Sequence, residues 1–224
     1  MFKKIADNHE TDSYATQMRR RRFQHFLSLL NTVPQPLTIL DVGGTQGFWE
    51  RMGFIDEPGI TVTILNLEPQ PVRHDHFRSV VGDATDLSAF ADASFDVVFS
   101  NSVIEHVGDL SRQRRMAQEV RRVGRRYFLQ TPNYYFPIEP HFLFPGYQWL
   151  PLATRAWLLH HFDLGWYKRL PTREAAQQEA AAVTLLKKGE LLALFPGAEL
   201  YCEKVMGLTK SFVVYDGWDR AAHA

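Results

Sequence analysis

Thr38-Ile-Leu-Asp-Val-Gly-Gly-Thr-Gln-Gly47 carries an apolar run into a cluster of glycines and passes at once into Phe48, Trp49 and Glu50. The stretch reads as a buried strand, a tight turn and the start of a short helix. Such a turn brings bare backbone N–H groups and a positive helix end up to a ligand, because glycine has no Cβ to hold the ligand off. Asp41 stands at the carboxyl end of the strand, the edge at which open α/β sheets bind their ligands.

Upstream, Asp12 or Ser13 can cap a helix that runs through Tyr14, Met18, Phe23, Phe26, Leu27 and Leu30, until Pro34 and Pro36 end it. Downstream, the short helix reaches about Phe54, residues 56–59 turn, and residues 60–67 form a second buried strand. Residues 79–84 predict a third strand ending in Asp83, residues 97–101 a fourth, and residues 126–131 a fifth that Pro132 stops. A strongly basic helix to about Val123 precedes the fifth strand. Strands alternating with helical patterns at this pace predict βαβ units and a parallel sheet.

Beyond Pro132 the rhythm breaks. Residues 134–167 are rich in aromatics and prolines without a clean period, which predicts an insertion of short helices. Residues 172–188 are alanine-rich and helical, and residues 190–195 form one more helix. Two strands, 199–205 and 209–215, finish the pattern. Their short link cannot hold a crossover, so they form an antiparallel hairpin. The expected organisation is an N-terminal helical segment (1–35), a ligand-binding half (36–132), an aromatic insertion or lid (133–188), a helix and hairpin completing the sheet (189–216) and a tail (217–224).

The 224 residues suffice for one domain with an elaboration. Lysine plus arginine is 25 and aspartate plus glutamate is 25, so bulk charge gives no argument for nucleic acid. Nor is there a long basic groove with interleaved aromatics. Arginines do crowd two segments, 19–22 and 112–126. These read as solvated helix faces, or as surfaces for an anionic partner or membrane headgroups. The lone Cys202 excludes an internal disulfide and reads as a small buried strand residue. With no membrane-length apolar run and no signal-peptide core, the expected location is cytoplasmic.

Asn66 and Glu68 end the second strand about twenty residues after the glycine turn, where a carboxylate can accept from both ribose hydroxyls. The dinucleotide fingerprint G-x-G-x-x-G fails at Thr45 and Phe48, and no G-x-x-x-x-G-K-[ST] phosphate loop is present. Asp41, Glu68 and Asp83 would repel a polyphosphate but suit hydroxyls, an ammonium group and an adenine amine.

Asp41-Val-Gly-Gly-Thr-Gln-Gly47 resembles the first motif of the class I S-adenosylmethionine-dependent methyltransferases, D/E-x-G-x-G-x-G. Gly82-Asp-Ala84 and Phe95-Asp-Val-Val-Phe-Ser-Asn-Ser-Val-Ile-Glu-His-Val107 resemble later motifs of that superfamily, above all its ubiquinone/menaquinone-type branch. The resemblance covers residues 36–131 by motif and 190–215 by pattern. It departs at the middle glycine, here Thr45, and at the ribose-acid slot, here Asn66 with Glu68 two residues on. It implies a seven-stranded, mostly parallel Rossmann-like sheet with a reversed C-terminal strand and helices on both faces.

It also implies S-adenosylmethionine as cofactor and S-adenosylhomocysteine as product. Asp41, Gly43, Gly44, Thr45 and Gly47 would then lie along the methionine and ribose portion. Asn66 or Glu68 would take the ribose, Asp83 and Ala84 the adenine, and Asn101 with Ser102 the methionine end. Methyl transfer then needs in-line placement and, for a hydroxyl acceptor, a base. His106 and His141 are the candidates, with Glu139 a lesser one. His160-His161 reads as a pair on a cover helix, and no metal site is expected.

The expected acceptor is a small molecule, a sugar or a lipid-linked intermediate under the insertion, which is either a packed lid or an amphipathic surface for a membrane or partner. Two rivals stand beside this reading: an NAD(P)-dependent oxidoreductase on a similar sheet, and a non-catalytic protein that binds the cofactor only.

Overall fold

The computed structural model describes residues 14–55, 57–139 and 141–218. Seven strands form one sheet: β1 (Leu37–Val42), β2 (Ile60–Asn66), β3 (Phe77–Val81), β4 (Val97–Asn101), β5 (Tyr127–Pro132), β6 (Glu199–Val205) and β7 (Leu208–Asp216). Their spatial order is β3-β2-β1-β4-β5-β7-β6. The first five pair in parallel, and β7 runs antiparallel to both β5 and β6. This is the mostly parallel sheet with a reversed C-terminal strand that the sequence predicts.

Helix α1 (Tyr14–Leu30) covers one face; the expected cap at Asp12 or Ser13 lies outside the described residues. Its Phe23, Phe26 and Leu30 pack with Ile39, Trp49, Phe99 and Phe128 in one core. Helices α3 (Leu110–Val123) and α6 (Lys188–Leu194) cover the other face, where Met116, Val120 and Leu191 meet Leu40, Val42, Val98 and Leu129. Period-2 alternation in β1 thus sends Ile39 to one core and Leu40 to the other. A third, smaller core lies within the insertion, where Phe142, Tyr147 and Leu159 meet Ala176 and Ala180 of helices α4 (Leu152–His161) and α5 (Arg173–Ala181).

Several boundaries differ from expectation. Helix α2 spans Gln46–Arg51 and begins before Gly47, because Thr45 takes the extended N-cap conformation. Strand β3 starts at Phe77, which is buried against Trp49, and stops at Val81, so Asp83 and Ala84 belong to the loop that follows. Pro132 ends β5 but stays within it, opposite Ser211, and pairing with β4 has already stopped at Gln130. The hairpin link is only Met206-Gly207, both at positive φ as a type I′ turn requires. Cys202 is half-buried on the edge strand β6 and not part of the closed core. No described helix is long and apolar enough to cross a membrane.

Candidate active site

The glycine turn leaves β1 at the carboxyl edge of the sheet. Gly43 has a φ of +76°, and a Cβ there would lie 2.5 Å from Val103 Cγ2. A Cβ on Gly44 would collide with the Asp41 carboxylate. The buried Asp41 carboxylate lies directly against Gly44, and Trp49 Nε1 donates to its Oδ2 at 2.7 Å. Its Oδ1 has no partner, and burial lifts its pKa to about 7. Asp41 therefore acts as a strut beneath the glycines. Asn66 is a second strut: its Nδ2 donates to the Gly44 carbonyl at 2.6 Å.

The remaining donor-site candidates divide by whether the protein already engages them. Thr45 is exposed and makes no capping hydrogen bond. At Gly47 a Cβ would meet only the tip of Arg51, at 3.4 Å, so the fold leaves that position open. Glu68 is exposed two residues beyond β2. Asp83 accepts from the Thr85 backbone and hydroxyl and from Arg112 Nη2, which hold its carboxyl below the usual range against partial burial. Ala84 is buried beside it. Asn101 ends β4 with a buried Oδ1 that has no partner. Ser102, at φ +58°, donates its hydroxyl to Gln130 Oε1.

Two residues separated by 35 positions meet here: His106 Nε2 and His141 Nε2 lie 3.1 Å apart. His106 closes a 3-10 turn (Ile104–His106) just after β4, and His141 follows β5 in the insertion. Glu139, only 2% exposed, orients His141, with Oε1 2.6 Å from Nδ1 and Oε2 accepting from the backbone of His141 and Phe142. The two imidazoles are thus consecutive members of one chain, Glu139–His141–His106. Glu139 is the orienting group, a role that its i+2 spacing from His141 hides in the sequence.

The electrostatics of the chain are graded. Burial and the neighbouring His141 bring His106 down to about 4, although one edge of His106 remains exposed. Burial opposes the charged form of His141 too, but Glu139 and Glu105 outweigh it and raise the pKa. A proton entering at His106 is therefore drawn inward to His141. Glu105 lies close by, fully buried, with Thr131 donating to its Oε2 and its Oε1 unpartnered; burial raises it to about 7. One ligand atom from each of Glu105, His106 and His141 lies within 4.8 Å of the others, a nitrogen–oxygen donor set that a divalent cation can use. The direct contact between the two Nε2 atoms is equally the geometry of a shared proton.

Residues 40–127 match the family model of a methyltransferase domain. That span is less than half of the chain, and it contains every donor-site candidate from Asp41 to Ser102, together with His106. An uncharacterised protein of Mycobacterium tuberculosis is 39% identical over 61 residues, which are 27% of this chain and 21% of that protein. The match thus spans about a fifth of the relative's length. Among solved structures, the CurJ carbon methyltransferase superposes with a TM-score of 0.56 at 14% identity, covering 91% of this chain and 55% of that one. The N-methyltransferase NodS from Bradyrhizobium japonicum, in complex with S-adenosyl-L-homocysteine, gives 0.51 at 12% identity over 93% and 88%. Identities this low establish a shared fold only.

The arginine clusters within and beside the matched span are partly occupied. Arg22 is buried and pairs with Glu203 at 2.8 Å, so this part of the first cluster is no solvated face. Arg122 binds Glu119, Asp92 and the Leu87 and Phe90 carbonyls, and Arg125 reaches Asp96. Arg20, Arg21, Arg114, Arg115 and Arg121 are exposed. Gln46, which sequence reasoning passed over, is buried and ties α2 to the loop after β2: its Oε1 accepts from Arg73 N, and its Nε2 donates to Glu50. In the insertion, His160 and His161 bond to the Leu170 and Trp157 carbonyls.

Proposed function

We propose that the protein is an S-adenosylmethionine-dependent methyltransferase acting on a small-molecule, sugar or lipid-linked acceptor that enters beneath the insertion. The observation that carries this reading is the methyltransferase-domain match over 40–127, whose span holds every donor-site candidate from Asp41 to Ser102. The residues present suit the cofactor. Gly47 leaves room for close approach, Glu68 offers a free-standing carboxylate to ribose hydroxyls, and the unpartnered Asn101 Oδ1 awaits a donor. S-adenosylmethionine, when bound, supplies a methyl group on a cationic sulfur that is already a good leaving group. Asp41 and Asn66 brace the Gly43-Gly44 turn that would hold it, and Asp83 with Ala84 would hold the adenine.

For a hydroxyl acceptor the Glu139–His141–His106 chain serves as base. His106 Nδ1 takes the acceptor's proton while its Nε2 proton passes to His141 Nε2, where Glu139 stabilises the imidazolium that results. The chain is competent only in the state that lacks this extra proton. Activity therefore rises as pH rises through the elevated pKa of His141.

Calorimetry with S-adenosylhomocysteine and with NADH tests the donor; binding of NADH alone would sink the reading in favour of an oxidoreductase. Glu68→Gln should weaken S-adenosylhomocysteine about tenfold, by loss of a charge-assisted hydrogen bond, without changing the melting temperature. With an acceptor in hand, Glu139→Gln and His141→Ala should each lower kcat by roughly 10²-fold or more and leave donor affinity intact. Turnover should survive chelator treatment. Loss on chelation that a divalent ion restores would replace the proton relay with a metal centre at Glu105, His106 and His141.

A further inference from the structure

Within the insertion, next to Glu139 of the histidine chain, lies a cavity of ≈ 130 Å³ lined by residues that include Glu139, Tyr147, Gln148 and Arg155. By volume it holds a group of only a few heavy atoms, roughly the share of four waters at ~30 Å³ each. Its polar lining is incomplete: Tyr147 Oη, Gln148 Oε1 and Arg155 Nε are all buried and have no hydrogen-bond partner. Tyr147 is 1% exposed and Gln148 9% exposed. Gln148 is fixed in place, because its Nε2 donates to the Tyr134 and Phe136 carbonyls and leaves Oε1 as the free acceptor. Burial keeps the Tyr147 phenol protonated, so it can donate.

Arg155 is the unusual member. Its guanidinium lies 5.9 Å from the centre of the Tyr147 ring and forms no ion pair with a described carboxylate. The nearby acid that lines the cavity, Glu139, is committed to His141. A half-buried guanidinium with an empty Nε is costly unless an anion completes it.

We infer that this cavity is the acceptor's recognition site and that it takes a carboxylate group carrying a neighbouring hydroxyl. Arg155 and Tyr147 meet the carboxylate, and Gln148 Oε1 accepts from the hydroxyl. A single guanidinium beside neutral donors, with Glu139 on the wall, matches one negative charge better than the two of a phosphate. The inference rests on the methyltransferase reading, since it names the substrate class of that site. Glu139 joins the two, because it lines the cavity and holds His141 at the end of the chain opposite His106; the acceptor is anchored there and extends toward His106.

The test uses the whole protein without donor and three probes: glycolate, its neutral counterpart glycolamide, and inorganic phosphate, followed by ligand-observed NMR and thermal shift. Glycolate should bind at least tenfold more tightly than glycolamide and than phosphate. Arg155→Met should abolish that preference and, by removing an unpaired, half-buried charge, keep or raise the ligand-free melting temperature. Tyr147→Phe, a smaller change, should weaken glycolate severalfold. Equal binding of glycolate and glycolamide, a preference for phosphate, or glycolate binding that both variants leave unchanged would overturn the inference; the first of these marks a water-filled void. S-adenosylhomocysteine titrated into the same wild-type protein separates the two claims. Donor binding without glycolate selectivity removes the acceptor site only, whereas failure of donor binding removes the methyltransferase reading.

Discussion

A Cβ at Gly43 runs into Val103, whereas one at Gly47 meets only the end of a flexible Arg51 side chain. Gly43→Ala should therefore destabilise the fold, through the clash and through its left-handed backbone. Gly47→Ala sits inside helix α2, where alanine is favoured over glycine by up to about 1 kcal/mol. The expected outcome for Gly47→Ala is an unchanged or higher melting temperature with S-adenosylhomocysteine affinity reduced at least tenfold. Retention of full affinity would mean that no ligand approaches the turn there. Asp41 offers a pH test. Its folded pKa is raised from 3.8 to about 7, so between those values the folded chain holds a proton that the unfolded chain has released. Stability then falls as pH rises from about 4 to 7 and levels off above. Asp41→Asn should match the wild type near pH 4 and exceed it at pH 8, by on the order of a few kcal/mol. Glu105, raised in the same direction, leaves part of the slope in the variant. Denaturant titrations across pH would decide, and a variant weaker than wild type at pH 8 would refute the account.

Helix α1 was legible in outline from its aromatic period, but its arginines were not. Arg20 and Arg21 are exposed as a basic block suggests, yet Arg22 turns inward to Glu203 on β6, and Ser211 on β7 donates to the same carboxylate. Burial and the Arg22 charge together pull Arg19 down to about 10. The network anchors the first helix to the last hairpin. Arg22→Met leaves Glu203 buried without its partner and should cost about 3–5 kcal/mol, whereas Arg22→Met with Glu203→Met should recover most of that loss. Equal destabilisation by the single and double changes would show that packing, not charge, makes the joint. The arginines of α3 carry the same lesson. Arg122 braces two loops through Glu119, Asp92 and backbone carbonyls, so the anionic-partner reading keeps only the exposed Arg114, Arg115 and Arg121 of that helix.

Across the molecule, stability is distributed unevenly. The two sheet cores bury large aromatic and branched side chains from distant parts of the chain, whereas α4 buries Leu159 alone and α5 only Ala176 and Ala180. Small side chains remove little apolar surface from water. Native-state hydrogen exchange should therefore find the amides of α4 and α5 opening at least tenfold more readily than those of β1, β4 and β5. Uniform protection would contradict this division. A looser insertion also fits the proposed role of a cover over the acceptor.

Five parallel strands, the reversed hairpin and the glycine turn followed from the sequence because their signals are local: apolar runs of strand length, glycines at the turn and a link too short for a crossover. The donor candidates around that turn came with the family resemblance that those local motifs carry. The union of His106 with His141 could not, nor could the orienting role of Glu139. Those depend on an aperiodic insertion folding back over the end of β4. Likewise, nothing near Arg22 announces Glu203, 181 residues away. Local pattern determines where backbone hydrogen bonds close; which charged side chains share a desolvated space is decided only when the sheet brings distant segments together.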